Sequence, residues 1–313
     1  MSGCAGFLGS HLCAALLADG WTVVGVDAFT EYYARAVKDR NVAGLRSAPG
    51  FELRVLDLAT DELLGLLDGV DVVFHLAAQP GVRASFGSGL STYLAHNVQA
   101  TQRLLEEAAR VELGAFVYAS SSSVYGDQPR YPVGEDAVLA PVSPYGATKV
   151  ITEQLAGAFW RAHGVPVVGM RYFTVYGPRQ RPDMAFARFV YRARSGAVMP
   201  VFGDGRQIRE FTYVDDVVAA TLAAAERGER GSVYNIGGGQ PATVLEAIVL
   251  LERLVGRPLL VEHLPAGAGD PRCTHADVRR ARRDLSWAPR TPLVEGLARQ
   301  LETATSIATG VAA

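Results

Sequence analysis

A tyrosine and a lysine stand four residues apart in the segment SPYGATK, at Tyr145 and Lys149. In a helix this spacing places both side chains on one face. A phenol ordinarily loses its proton at about pH 10, and a neighbouring ammonium group stabilises the phenolate, so the tyrosine becomes a usable base near neutral pH. The pair therefore indicates proton abstraction from a substrate hydroxyl. Because YxxxK also occurs on ordinary helices, the surrounding elements must decide its meaning.

Four consecutive serines precede this pair in the segment ASSSSVYG, where the apolar run AFVYASS (115–121) ends. Doubly wound sheets bind their ligands at the edge where such strands end. We expect the serine run to form a poor strand and a good hydroxyl cluster, one member of which hydrogen-bonds the hydroxyl that Tyr145 deprotonates. A plain polar turn is the alternative interpretation.

Three glycines near the N-terminus, Gly3, Gly6 and Gly9, have the spacing of a dinucleotide-binding turn. Glycines there permit a tight turn and a close approach of the backbone, and the helix that follows presents free N–H groups and its positive dipole end to a pyrophosphate. The motif alone is weak evidence, because three glycines also occur before helices as ordinary turn chemistry.

An acidic residue, Asp27, ends the next apolar run and stands 18 residues after Gly9. A carboxylate at that place accepts hydrogen bonds from the adenosine ribose hydroxyls and repels the extra phosphate of NADP. The sequence therefore favours NAD, although Arg35 and Lys38 nearby leave NADP as an alternative cofactor. A solvated residue at the end of a strand is the alternative for Asp27.

The elements that must position these residues alternate between strand and helix. The apolar runs look buried on both faces, which predicts an α/β fold with a doubly wound parallel sheet covered by helices. Beyond residue 173 the regular pattern gives way to segments rich in glycine, proline and arginine, which indicate a smaller mixed lobe built for ligand contacts. We predict strands over 21–27, 51–58, 70–78, 115–121 and 165–173, and helices over 9–19, 61–67, 98–110 and 146–163.

The composition narrows the class of protein. The 313 residues include 30 basic and 32 acidic ones, so no nucleic acid or anionic membrane is expected as a partner, and an anionic ligand must be bound by local arginines. The three cysteines have neither disulfide nor zinc-ligand spacing, which favours a reducing cytoplasm. Neither a membrane-spanning run nor a basic leader before an apolar run is evident, so we expect a soluble protein that is not exported.

Taken in order, the motifs resemble those of one enzyme family along essentially the whole chain. GCAGFLG, Asp27, Asp57-Leu58, HLAAQPGVR, SSSSVYG, YGATK, RYFTVYGP and REFTYVDD together resemble the extended short-chain dehydrogenase/reductase family of nucleotide-sugar epimerases and dehydratases. The resemblance implies a Rossmann domain that holds NAD (1–172 plus about 211–236), a lobe that holds a UDP-sugar (173–210 plus about 237–313), and a homodimer formed through two helices.

The resemblance also implies roles for single residues. Ser121 would be the catalytic hydroxyl, Tyr145 the base, and Lys149 its partner and a ligand of the nicotinamide ribose. Cofactor contacts are expected from Gly3, Gly6, Phe7, Leu8, Gly9, Asp27, Asp57, Leu58, Leu76, Ala77, Ala78, Asn97, Tyr145, Lys149 and Tyr172. Substrate contacts are expected from Arg83, Ser121, Ser122, Ser123, Thr174, Arg181, Arg209 and Arg272, with Arg209 and Arg272 on the diphosphate.

The loop after the serine run discriminates among reactions that share this fold. Dehydratases and decarboxylases of the family carry acidic residues where this chain has Ser122 and Ser123. Elimination of water is therefore strongly disfavoured for this chain, and decarboxylation is moderately disfavoured. The segments FTVYGPRQRPDMAF and HLAAQPGVRASF resemble UDP-glucuronate 4-epimerases most closely. In that case Arg181 would bind the carboxylate on carbon 6 by charge-assisted hydrogen bonds. UDP-glucose 4-epimerisation, UDP-glucuronate decarboxylation and another nucleotide-sugar dehydration remain alternatives.

Two further interpretations come from other classes of protein. An NAD(P)-binding redox sensor of this fold would generally lack the tyrosine and lysine that are present here. A metal enzyme built on His75, His263 or His275 is disfavoured because no pair of these residues has ligand spacing, so we expect no metal.

The strand that should feed the glycine turn is apparently truncated, since only Met1 and Ser2 precede Gly3. In this fold the first strand lies at the centre of the sheet, and its absence would leave two buried strand edges unpaired. We therefore expect the natural product to begin several residues upstream. With the chain as written, NAD binding becomes doubtful and Cys4 is expected to be unusually exposed.

Overall fold

The secondary structure alternates between strands and helices through the first half of the chain. The computed structural model describes residues 1–265, 269 and 271–304. The strands are Val23–Asp27 (β1), Phe51–Val55 (β2), Val72–His75 (β3), Ala115–Ser121 (β4), Val167–Tyr172 (β5), Val175–Tyr176 (β6), Met199–Phe202 (β7), Ile208–Glu210 (β8), Thr212–Tyr213 (β9), Val233–Ile236 (β10), Pro241–Thr243 (β11) and Val261–Leu264 (β12). The helices are Phe7–Ala18 (α1), Arg35–Arg46 (α2), Leu90–Tyr93 (α3), Ala100–Ala108 (α4), Pro144–His163 (α5), Ala185–Ser195 (α6), Val214–Arg227 (α7), Val244–Val255 (α8), Arg279–Leu285 (α9) and Leu293–Thr303 (α10).

The main sheet is parallel throughout its paired strands. Strands β1 and β2 pair on one side, and β3, β4, β5 and β10 pair in that order on the other. Helices α1 and α7 pack together on one face, and α4 and α5 pack together on the other. The predicted α/β fold with a Rossmann-type doubly wound sheet is confirmed. Because β10 returns to lie beside β5, the pairing supports the proposed assignment of residues 211–236 to the first domain.

The first two residues join the two halves of the sheet. Ser2 forms parallel bridges with Val26 and with His75, and its amide donates to the Phe74 carbonyl at 2.9 Å. The Val26 amide in turn donates to the Met1 carbonyl at 2.8 Å. Two residues thus occupy the position of a central strand and give backbone partners to β1 and β3 just before the glycine turn.

Cys4 is fully buried, so the expectation of an exposed cysteine was wrong. Its side chain lies in the apolar core with Cys13, and burial raises the pKa of its thiol. Because Ser2 pairs on both sides, the turn that follows is drawn into the sheet, and the thiol points into the protein. Cys4, Cys13 and Cys273 are all free.

Three local predictions also differ from the structure. Residues 61–67 form turns rather than a helix, because Gly65 and Gly69 adopt φ values of 76° and 71°, outside the right-handed helical region. Strand β2 is largely exposed rather than buried on both faces, because it lies at the edge of the sheet. Ser120 and Ser121 belong to β4, so half of the serine run does form strand.

The smaller lobe is assembled from short strand pairs. Strand β7 pairs with β12, β8 with β11 in antiparallel orientation, and β6 with β9. Helix α8 begins with a capping box, in which the Thr243 hydroxyl accepts from the Glu246 amide and the Glu246 carboxylate accepts from the Thr243 amide. The last predicted residues of this lobe, 305–313, lie outside the described residues.

A buried ion pair fixes α5 to the sheet. The Arg171 guanidinium on β5 binds the Glu153 carboxylate on α5 through two hydrogen bonds of 2.8 and 2.7 Å, and both side chains are 5% exposed. Ser120 donates to the same carboxylate, and Tyr125 accepts from Arg171 at 2.7 Å. Because the polar atoms of the pair are hydrogen-bonded in this way, the pair fixes the position of α5 relative to the ends of β4 and β5.

In the part of the chain that the structure describes, none of the helices combines the length and the apolar character that crossing a membrane requires.

Replacing Gly9 by alanine tests the close packing of the glycine turn. A Cβ at Gly9 would overlap the Gly3 carbonyl, so we expect Gly9→Ala to lower the free energy of unfolding by about 1 to 3 kcal/mol. Gly44→Ala is the matched control, because Gly44 lies in α2 with open space around it and should raise stability by about 0.5 to 1 kcal/mol. Urea denaturation followed by circular dichroism measures both. Equal effects of the same sign would contradict this packing.

Candidate active site

A cleft of about 720 Å³ opens at the carboxyl ends of the parallel strands, between the sheet and the smaller lobe. This edge is where doubly wound sheets bind ligands. The predicted site residues that line the cleft are Gly3, Gly6, Phe7, Leu8, Gly9, Asp27, Asp57, Leu58, Leu76, Ala77, Ala78, Arg83, Ser121, Ser122, Ser123, Tyr145, Lys149, Tyr172, Thr174, Arg181 and Arg209. Residues separated by more than 200 positions in the chain thus meet at one surface.

The glycine turn forms one wall of the cleft. Gly3 has a φ of 73°, and a Cβ there would come within 2.8 Å of the Ala77 amide nitrogen. Gly6 is the N-cap of α1, so the free amides of the first helical turn face the cleft. The backbone that a side chain would cover is therefore left open to a phosphate group, which fits the dinucleotide reading of the motif.

The Asp27 carboxylate lies at the end of β1 beside this turn. It accepts from the Ala5 amide at 3.1 Å and from the Phe29 amide at 2.8 Å, which fixes its orientation. Lys38 is buried and places its ammonium nitrogen 3.5 Å from the same carboxylate, whereas Arg35 is exposed. Of the two basic residues that left NADP as an alternative cofactor, only Lys38 therefore lies close to the Asp27 carboxylate.

Tyr145 and Lys149 lie on α5 as the spacing predicts. The helix begins at Pro144, and the Ser143 hydroxyl caps it by accepting from the Gly146 amide at 3.1 Å. Burial raises the pKa of Tyr145, while a hydrogen bond with the Ser121 side chain and the charge of Arg181 lower it. The charge of Arg181 thus acts on the phenol in this structure.

Lys149 is turned toward the strand beneath it. Its ammonium group donates to the Ala119 carbonyl at 2.8 Å, and only 4% of the residue is exposed. Burial lowers the pKa of Lys149 to about 8, and the negative charge of Glu153 opposes part of that change. The lysine is therefore held rigidly one helical turn from Tyr145.

The serine run supplies hydroxyl groups at the end of β4. Ser121 accepts from the Ser123 amide at 3.1 Å and is the serine that bonds Tyr145. Ser122 and Ser123 also line the cleft, in a short 3₁₀ turn. Ser120 points the other way, to Glu153, because successive side chains in a strand alternate between its faces.

Arg181 is paired inside the cleft. Its guanidinium binds Asp183 through two hydrogen bonds of 3.0 Å each. Tyr32, which follows β1, donates to Asp183 at 3.3 Å. Two further cleft arginines come from different segments. Arg83, which follows β3, stacks 3.8 Å from the centroid of the Phe202 ring, and Arg209 on β8 donates to the Ile208 carbonyl at 2.8 Å.

Two predicted site residues do not line the cleft. Asn97 is 1% exposed, and its amide group is fully engaged with the Gln79 backbone and with Thr148, so it joins the loop after β3 to α5. Arg272 is exposed beside the cleft, where its backbone amide donates to Asp127 at 2.9 Å. Their predicted ligand contacts stay predictions.

Other cleft residues were not singled out from the sequence. Tyr32 and Arg188 line the cleft outside the motifs quoted above, and Asp183 lines it within the segment FTVYGPRQRPDMAF. His96 lies 3.6 Å from the Asp57 carboxylate. Asp183 follows Arg181 by two residues, which was the available signal for a paired guanidinium. The structure also packs His75 between Ser2 and Thr101, at 2.7 and 2.9 Å, and within the described residues no group of acidic, histidine or cysteine side chains could hold a metal ion.

Comparisons with known proteins agree with this arrangement. Residues 1–237 match the model of the NAD dependent epimerase/dehydratase family. An uncharacterized UDP-glucose epimerase, YtcB, of Bacillus subtilis (strain 168) is 42% identical over 312 residues, covering 99% of this chain and 98% of that protein. A UDP-glucuronate 4-epimerase of Thermodesulfobacterium geofontis (strain OPF15) is 35% identical over 304 residues, covering 96% and 93%.

Among solved structures, UDP-glucuronic acid 4-epimerase from Bacillus cereus, in complex with UDP-glucuronic acid and NAD, is 40% identical with a TM-score of 0.94. The match covers 96% of this chain and 97% of that one. The resemblance that the motifs indicated is confirmed, and the chain belongs to the NAD dependent epimerase/dehydratase family.

Proposed function

We propose that this protein is an NAD-dependent epimerase that interconverts UDP-glucuronate and UDP-galacturonate through a transient 4-keto sugar. One observation carries the proposal: the Arg181 cation lies in the same cleft as Tyr145 and close enough to lower the pKa of its phenol. A cation there can bind a carboxylate on carbon 6 while the phenol acts on the neighbouring hydroxyl of carbon 4.

Tyr145 is the proposed base. Its oxygen would take the proton of the 4-hydroxyl, and Ser121, hydrogen-bonded to Tyr145, would hold that hydroxyl in place. Lys149 would keep a positive charge beneath the tyrosine, because burial and the bond to Ala119 leave it no other position. When the sugar is reduced from its other face, Tyr145 would return the proton.

The glycine turn and Asp27 are the proposed holders of NAD, which, when bound, supplies the acceptor and donor of hydride at carbon 4. The free amides of α1 would bind the pyrophosphate, and Asp27 and Lys38 would lie at the adenosine ribose. The Asp27 carboxylate supports NAD over NADP, because its oxygens can accept from the ribose hydroxyls that a 2′-phosphate would replace.

Three arginines, one from the loop after β3 and two from the lobe, are the proposed ligands of the nucleotide part of the substrate. Arg83 and Arg209 line the cleft, and Arg272 is exposed next to it. Because the chain as a whole is nearly neutral, local cations of this kind must balance the two phosphate groups. The positions of Arg209 and Arg272 support the proposed division into an NAD-binding domain and a UDP-sugar lobe, with Arg83 contributing from the other side of the cleft.

The alternatives differ in the chemistry that the cleft must supply. Dehydration and decarboxylation are disfavoured because Ser122 and Ser123 carry no carboxyl group. UDP-glucose 4-epimerisation is the second candidate, favoured by the name of the Bacillus subtilis relative. A redox sensor would not need the Tyr145–Ser121 arrangement. Cytoplasmic localisation, which the free cysteines support, and a homodimer stay predictions.

Tyr145→Phe should abolish the reaction while leaving the fold intact. Removal of the phenolic oxygen takes away the base, so we expect kcat to fall roughly 10²- to 10⁴-fold for UDP-glucuronate. Chromatographic separation of the two uronate isomers measures the rate, with circular dichroism and NAD content as checks of folding. Tyr191→Phe, at a partly exposed tyrosine of α6, is the control. An undiminished rate of epimerisation by Tyr145→Phe would contradict the proposal.

The pH dependence follows from two opposite pKa shifts. Burial raises the pKa of Tyr145 and lowers that of Lys149 to about 8, and the active form needs a phenolate together with an ammonium group. Below pH 8 the phenolate fraction, and with it kcat/KM, should increase about tenfold per pH unit. Above that pH the loss of the Lys149 proton offsets the gain, so the profile should level off. Lys149→Met should remove the break near pH 8, and a break that persists in this variant would assign it to another group.

Arg181→Met should separate carboxylate binding from nucleotide binding. Loss of a charge-assisted hydrogen bond should raise KM for UDP-glucuronate roughly 10- to 100-fold and leave the affinity for UDP-glucose within about twofold. Steady-state rates and calorimetry on the NAD-loaded protein measure the two effects, with exposed Arg161→Met as control. Equal losses for both nucleotides would place Arg181 on the diphosphate instead. Wild-type turnover of UDP-glucose but not UDP-glucuronate would favour the second candidate.

A further inference from the structure

The Arg181 guanidinium is held from two directions by residues of distant segments. In its plane, Asp183 accepts from Nε and from Nη2 at 3.0 Å each. Across its face, the Tyr32 ring centroid lies 5.9 Å from the central carbon of the guanidinium. Tyr32 also donates to Asp183 at 3.3 Å, so the three side chains form one connected group, called here the Arg181 clamp.

The clamp determines which donors of Arg181 face the cleft. A guanidinium is a planar fork, and Asp183 occupies the edge that carries Nε and one N–H of Nη2. The remaining N–H groups, one on Nη2 and two on Nη1, stay available to a ligand. Arg181 and Tyr145 line the same cleft, so these donors can meet a carboxylate on the sugar that Tyr145 would deprotonate.

The clamp also joins the two sides of the cleft. Tyr32 belongs to the turn that follows β1 and Asp27, whereas Arg181 and Asp183 lie between β6 and α6, about 150 positions later. Gly81, which has a φ of 103°, passes so close to Tyr32 that a Cβ there would overlap the tyrosine hydroxyl. The tyrosine is therefore packed against the sheet side of the cleft and bonded to Asp183 on the lobe side.

We propose that Asp183 and Tyr32 are positioning residues that hold Arg181 in one orientation and thereby set the preference of the cleft for a nucleotide sugar with a carboxylate on carbon 6. The inference rests on the proposed function and extends it to two residues to which the motifs assigned no role. Neither residue is required to touch the reacting atoms.

Two effects of Asp183 on an anionic sugar oppose each other. Its own negative charge repels the carboxylate, and its hydrogen bonds spare the sugar the entropic cost of ordering a long side chain. The Asp183 side chain is 37% exposed, so its repulsion is screened by water and salt. Arg181 is only 19% exposed, and fixing its rotamers in advance lowers the cost of binding. The second effect should decide the sign.

The test compares Asp183→Ala, Asp183→Asn and Tyr32→Phe in the NAD-loaded protein. Asp183→Ala removes both bonds to Arg181, Asp183→Asn keeps one acceptor without the charge, and Tyr32→Phe keeps the ring without its hydroxyl. Asp284→Ala is the matched control, because Asp284 forms a two-bond pair with Arg283 on α9 and neither residue lines the cleft. Each variant is assayed for KM and kcat with UDP-glucuronate and for calorimetric Kd with UDP-glucuronate and UDP-glucose.

For Asp183→Ala we expect KM and Kd for UDP-glucuronate to rise roughly three- to tenfold, with Kd for UDP-glucose unchanged within about twofold. Asp183→Asn and Tyr32→Phe should show smaller increases in the same direction, and the control should show none. Unchanged or tighter binding of UDP-glucuronate by Asp183→Ala would overturn the proposal, as would an equal loss of affinity for both nucleotides.

A second readout concerns the fate of the 4-keto sugar. Its carboxylate is β to the ketone, so when the bond between carbons 5 and 6 breaks, carbon dioxide leaves, the electron pair enters the carbonyl, and the enolate takes a proton at carbon 5. A loosely held carboxylate reaches the alignment for this loss more often. Asp183→Ala should therefore release more carbon dioxide per epimerisation than wild type, whereas a merely destabilised protein would lose both activities together.

The same experiment separates failure of the inference from failure of the proposed function. If the wild-type protein does not epimerise UDP-glucuronate, the proposed function is wrong. The Kd values for UDP-glucuronate and UDP-glucose then still show whether the clamp sets the preference for a carboxylate. A wild-type protein that epimerises UDP-glucuronate, with an Asp183→Ala variant of identical KM and carbon dioxide release, contradicts the clamp alone.

Discussion

The cleft depends on backbone pairing at the first two residues. Met1 and Ser2 give hydrogen-bond partners to β1 on one side and β3 on the other. Strands β1 and β3 do not pair with each other directly, so these two residues link them. The glycine turn begins at the next residue, so this pairing places the turn between the end of β1 and the loop after β3. Asp27 and Ala77 are brought to the same wall for that reason.

A second constraint is the disposition of charge around α5. Along one side of this helix stand Tyr145, Lys149 and Glu153, each one turn from the next. Glu153 is neutralised by Arg171 on the sheet, which leaves Lys149 as the buried cation next to the tyrosine. The buried polar groups of the helix thus have partners. Of the two groups that line the cleft, Tyr145 has a raised pKa and Lys149 has a lowered pKa.

The lobe contributes charge of a different kind. Lys149 is buried and fixed by the backbone of β4, whereas Arg181 is held by side chains, Asp183 in its plane and Tyr32 across its face. A cation held by side chains can exchange one of its partners for a ligand without breaking a strand or a helix. This difference explains why substrate preference within one fold can vary through a few residues of the lobe while the tyrosine and lysine stay in place.

The sequence by itself determined the elements whose signals are local. The alternation of strand and helix, the four-residue spacing of Tyr145 and Lys149, and the ordered motifs that led to the family could all be identified because each depends on neighbours within a few positions. Local patterns failed where a single backbone geometry or a position in the sheet intervened. Gly65 and Gly69 turned a helical pattern into turns, and the edge position of β2 exposed a strand that looks buried.

Only the tertiary structure decided which side chains meet. The burial of Cys4, the removal of Asn97 from the cleft, the approach of Lys38 to Asp27 and the assembly of the Arg181 clamp all join residues that are far apart in the chain or depend on such contacts. Spacing along a helix or strand is set by covalent geometry and can be counted. Contacts across a cleft are set by how the elements pack, which no single segment encodes.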